Sequence, residues 1–111
     1  MSDYFSQLYD SALAAGLPII STDTAAKILA VTYVHGNNEF MVHSSKFQAE
    51  IKYIQQKWGI DGGLIPDAGI TIVIQHYVSE LERFEKEHPE KRYPQWAIDL
   101  FKTRYGFELI N

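Results

Sequence analysis

Apolar residues recur at steps of four and three along two stretches of this chain, and that spacing constrains its fold more than any other feature. Phe47, Ile51, Ile54 and Trp58 form one stripe; Ile70, Ile74, Tyr77, Leu81 and Phe84 form the other. Residues three and four apart share one face only in a helix, so each stripe predicts an amphipathic helix with a buried side. The first begins at Ser45-Lys46-Phe47-Gln48, a capping box in which the serine hydroxyl accepts from the amide of Gln48 and the glutamine side chain reaches back. It ends at Trp58-Gly59, where glycine suits the left-handed C-terminal position and Ile60 is placed to fold back onto Ile54. Trp58, which closes the stripe, is expected in the core. The second helix runs from Asp67 to about Lys86. Its opening Ile70-Thr71-Ile72-Val73-Ile74 has strand propensity, but the longer periodic pattern outweighs five residues of composition.

The segments around these helices carry breaking signals. Asp61-Gly62-Gly63-Leu64-Ile65-Pro66-Asp67 reads as a loop, and His88-Pro89-Glu90-Lys91-Arg92-Tyr93-Pro94 as a polar linker. A short helix follows from Pro94 through Ile98, Phe101 and Tyr105 to Gly106, since proline is tolerated at a first helical position. Phe107-Glu108-Leu109 alternates and is placed to add a terminal strand. At the other end, residues 2–16 read as a short amphipathic helix with Ser2 as N-cap, Phe5, Leu8 and Ala12 at helical spacing, and Gly16 and Pro18 as stops.

Residues 25–44 admit two readings. As a hairpin, a turn centred on Gly36-Asn37 pairs Tyr33 with Phe40 and Val31 with Val42 on one face, and the β-branched Val31, Thr32, Val34 and Val42 favour a pleated strand. This reading gives an α+β fold, with helices packed on a small antiparallel sheet. If residues 22–34 are helical instead, the chain is an all-α bundle. Within that second reading, Thr24-Ala25-Ala26-Lys27-Ile28-Leu29-Ala30-Val31 resembles the first helix of helix-turn-helix proteins of the excisionase kind, which implies a DNA-binding regulator using residues 22–44. The glycine usual in that family's turn is Ala30 here, and His35-Gly36-Asn37-Asn38 interrupts the segment that would be the recognition helix. The hairpin is the expectation carried forward.

The chemistry-bearing residues are sparse. With no cysteine, disulfides, thiolate catalysis and cysteine-ligated metal sites are excluded. No Gly-x-Ser-x-Gly turn presents a nucleophile, and Gly62-Gly63 lacks the order of a phosphate-binding loop. His76 and Glu80 are four apart on one helix face, the spacing of two metal ligands, which leaves a metal-dependent enzyme as an alternative. The simpler reading of that pair is a polar surface, so no catalytic residue, metal or cofactor is assigned.

Charge and aromatic content carry what functional signal there is. The 111 residues suffice for a single domain over 1–111 and bear a net charge of −4, which offers no general footprint for nucleic acid. Residues 1–44 hold Asp3, Asp10, Asp23 and Glu39 against Lys27 alone, whereas residues 45–58 are net positive. Seven Tyr, six Phe and two Trp exceed what one small core buries, so some rings are expected at the surface. These features point to a small soluble non-enzymatic protein-binding module, of the inhibitor, immunity or anti-defence kind, that masks a functional surface of a larger partner. Asp3, Tyr4, Tyr9, Asp10, Asp23 and Glu39 are its candidate contact residues, and the partner is another protein with a basic surface. Neither a basic-then-apolar leader nor a membrane-spanning run is present, so a cytoplasmic protein is expected.

Overall fold

A computed structural model of the chain describes residues 21–36, 44–58 and 68–110. The described residues form four helices, α1 (Thr22–His35), α2 (Ser45–Lys57), α3 (Ala68–Glu87) and α4 (Gln95–Tyr105), and no strand. The described residues are therefore all-α, which corrects the α+β expectation and fits the all-α alternative: the first strand of the expected hairpin is α1. Its other half, with Glu39, Phe40 and Val42, lies outside the described residues, as does the expected helix over 2–16. Residues 107–109 form no strand either.

Helix wins in α1 because almost every face of it is covered. Ala25, Ala26, Ile28, Ala30, Val31, Thr32 and His35 are all buried. A helix buried on most sides has no polar face to set an apolar stripe against, so the three-to-four periodicity disappears and β-branched content is left as the visible signal. The packed state overrides that local preference. Thr32 is accommodated by donating its hydroxyl to the Ile28 carbonyl at 2.7 Å. Ser21 caps the start, its Oγ accepting from the Thr24 amide at 3.1 Å. Gly36, at φ +100°, ends the helix in a backbone region that other residues rarely adopt.

The alanines of α1 keep its surface low, which suits close approach by α3, and these two helices form the principal pair. Asp23 at the start of α1 meets Tyr77 midway along α3, and His35 at its end meets Arg92 beyond α3, so the two run in the same direction. The periodic α3 extends through the strand-like run as expected, and Ile70 and Leu81 are buried on it. α2 begins one residue after a serine cap, as expected, but the cap is Ser44 and not Ser45: its Oγ accepts from the Phe47 amide at 3.2 Å. α4 ends at Gly106, φ +74°, in the left-handed region. Among the described residues, no helix is long and apolar enough to cross a membrane.

α4 joins α2 through rings and one buried ion pair. Phe47 lies edge-on to Tyr105 at 5.0 Å between centroids and also meets Phe101 and Phe107. Beside these rings the carboxylate of Glu50, 1% exposed, accepts from Arg104 Nε at 2.5 Å and Nη2 at 2.6 Å, and from the Tyr105 hydroxyl. Burial, followed by the charge and hydrogen bond of Glu50, raises the Tyr105 hydroxyl well above the ordinary tyrosine value. For Arg104, burial alone would weaken the charged form, but the Glu50 hydrogen bond and charge outweigh it and hold the guanidinium charged.

Two stability outcomes follow from this packing. Arg104→Leu strands the Glu50 charge in the core and should cost about 3–5 kcal/mol in urea unfolding, while Glu50→Leu with Arg104→Leu together should cost less than Arg104→Leu alone. Trp58 is half-buried against the core, with Lys57 Nζ 4.6 Å above its ring, and is not enclosed as its place on the stripe predicts. Trp58→Ala should accordingly cost about 2 kcal/mol, below the ~3–5 kcal/mol of a fully buried aromatic.

Candidate functional site

The most varied polar chemistry at the described surface lies where α1, α3 and α4 meet. α1 contributes Asp23 and Lys27, one turn apart and therefore on one face. α3 contributes His76, Tyr77 and Glu80 from adjacent positions at the middle of its length. α4 contributes Trp96 from its first turn, two residues after the Pro94 cap.

The contacts form a closed circuit. Tyr77 donates its hydroxyl to Asp23 Oδ1, and Lys27 Nζ lies 3.2 Å from Asp23 Oδ2. The same ammonium stands over two rings, 5.5 Å from the Tyr77 centroid and 5.9 Å from that of Trp96, inside the range of cation–π attraction. Tyr77 and Trp96 are themselves tilted neighbours at 5.4 Å. Trp96 Nε1 donates to Glu80 Oε1 at 3.1 Å, and His76 Nε2 lies 3.6 Å from the other oxygen of Glu80. The Asp23 side chain is 53% exposed and Lys27 30%, so solvent and a partner reach both.

Electrostatics follow from these contacts. The Tyr77 hydrogen bond, helped by Lys27, holds the Asp23 carboxyl below its usual range against the opposing effect of partial burial. Burial, and then the Asp23 hydrogen bond and charge, push the Tyr77 hydroxyl up to about 12. Asp23 is thus anionic and Tyr77 a neutral donor across the physiological range.

Of the residues expected to bind a partner, Asp23 alone is described, and it lies in this cluster; Asp3, Tyr4, Tyr9, Asp10 and Glu39 lie outside the described residues. His76 and Glu80 do adjoin, but Glu80 is engaged by Trp96, and among the described residues no third His, Asp or Glu completes a metal site. Lys27, Tyr77 and Trp96 escaped the sequence reading because 50 or more residues separate Lys27 from either ring. The one local signal was Trp96, an amphipathic aromatic two residues after a helix-starting proline. A helix-turn-helix over 22–44 has its first helix in α1, and residues 37–43, where its turn and second helix would begin, lie outside the described residues.

Because the folded protein favours neutral Tyr77, its contribution to stability is fully present below pH 10 and is lost as pH rises toward about 12. In an ultraviolet titration of phenolate, Asp23→Asn should bring the Tyr77 ionisation back toward 10, and Tyr77→Phe should remove that step. No family model, characterised protein or solved structure significantly matches this chain.

Proposed function

We propose that the chain is a small, non-enzymatic protein-binding module that acts in the cytoplasm, such as an inhibitor, immunity or anti-defence protein, by covering a basic functional surface of a larger partner. The observation that carries this reading is the accessible cluster in which Asp23 and Glu80 flank the half-exposed rings of Tyr77 and Trp96. Tyrosine and tryptophan dominate the energetics of protein interfaces because they combine large apolar area with a polar tip, and carboxylates beside them select a basic surface. The net charge of −4 steers the same class of partner, and a cysteine-free chain suits a reducing compartment.

The test is affinity capture on the immobilised chain from its native host, with partners identified by mass spectrometry and their association measured across salt. Asp23→Asn with Glu80→Gln keeps the shapes and the Trp96 acceptor while removing two charges. Association with the captured partner should slow by about tenfold at low salt and converge with wild type as salt rises. Unchanged rates in the variant would remove this surface from the interface. Retardation of duplex DNA that weakens steeply with salt would replace the reading with the DNA-binding one.

A further inference from the structure

The ammonium of Lys27 is held as a bound cation is held in a recognition site. Two aromatic faces stand within 6 Å of it, and a carboxylate lies at 3.2 Å. These groups come from three helices: Asp23 from the same helix as Lys27, Tyr77 from α3 and Trp96 from α4. Asp23 and Tyr77 are also fixed to one another, and Trp96 is fixed through Glu80, so the ring faces stay oriented without help from Lys27. An arrangement whose parts are positioned independently of the cation can exchange it for another of the same chemistry. Lys27 is suited to leave: its side chain is 30% exposed, and a long lysine stem re-solvates at little cost.

We propose that Asp23, Tyr77 and Trp96 form a binding site for a lysine side chain of a partner protein, and that Lys27 occupies it as an internal stand-in until that lysine displaces it. The inference deepens the protein-binding reading and rests on it for the identity of the ligand as part of a protein. It assigns the partner's anchor as an ammonium group, and makes Lys27 a competitor that sets affinity. A partner then pays to displace Lys27, and its apparent affinity falls by the fraction of molecules in which the site is open.

The test uses the full chain with no partner present. The probe is the peptide acetyl-Gly-Lys-Gly-amide, with acetyl-Gly-norleucine-Gly-amide as its uncharged counterpart. The readout is the indole N–H resonance of Trp96, separated from that of Trp58 by Trp58→Phe. Lys27→Met should tighten lysine-peptide binding by about tenfold, the gain expected if Lys27 fills the site in about nine molecules of ten. Adding Asp23→Asn to Lys27→Met should abolish the gain. Lys52→Met makes the same change of net charge on the exposed side of α2 and should leave binding within about twofold of wild type. Lys27→Gln, which keeps a polar tip on a shorter stem, serves as the second opened form should Lys27→Met fail to fold. Equal affinity of wild type and the opened form, an equal gain in Lys52→Met, or an equal response to the norleucine peptide would overturn the proposal. Because the probe reads the site alone, lysine binding without any captured partner would overturn only the protein-binding reading, and a captured partner without probe tightening would overturn only the stand-in role of Lys27.

Discussion

Everything in the described structure leans on the near-complete enclosure of α1. Ala25, Ala26, Ile28, Ala30 and Val31 have no exposed surface, and three of the five are alanines. Alanine loses no side-chain entropy on burial and leaves room for a neighbouring backbone, so α1 offers α3 a low surface at small cost. The enclosure fixes where α3 runs, and α3 in turn places Tyr77 and Glu80 opposite the first two turns of α1 and the start of α4.

Apolar packing alone leaves helices free to slide by a turn, and the polar contacts remove that freedom. Each bridges elements distant in sequence: Asp23 to Tyr77, His35 to Arg92, Glu80 to Trp96 and Glu50 to Arg104 and Tyr105. A buried ion pair adds little net stability once desolvation is counted, yet an alternative register would leave Glu50 charged and unmatched in the core. α4 is held at both ends in this way, at Trp96 against α3 and at Arg104 against α2.

The legibility of these elements in the sequence follows how evenly each helix is covered. α2 and α3 each show one buried face and one solvated face, so their stripes placed Phe47, Ile51, Ile54, Ile70 and Leu81 in the core. α4 was legible from its punctuation, Pro94 at the start and Gly106 at the end. α1 was legible only as the second of two readings, because the covering of its faces comes from tertiary packing and erases the period that would reveal it. Trp58 packs against the core as its place on the stripe predicts, but at the end of α2 its ring is only half-covered, with Lys57 above it. In the candidate site Asp23 was anticipated on charge, and His76 with Glu80 as a one-face pair; bringing Tyr77 and Trp96 to Lys27 depends on the crossing of three helices, which no local pattern encodes.

The two charged clusters also differ in their access to water. At Glu50 the carboxylate is 1% exposed and fully engaged by Arg104 and Tyr105, so reaching it means opening the contact between α2 and α4. Exchange there would expose Phe47 and Phe101, two fully buried rings. At Asp23 and Lys27 the pair is partly solvated, with side chains 53% and 30% exposed, and solvent screening reduces its net strength. A weak, accessible ion pair can be traded for an intermolecular one without disturbing the packing of α1 beneath it, where Ala26 and Ala30 stay enclosed whichever ammonium sits above the rings. The chain thus keeps its enclosed charge pair where it fixes the register of α2 against α4, and on the proposed reading the accessible pair is the one exchanged for a partner's lysine.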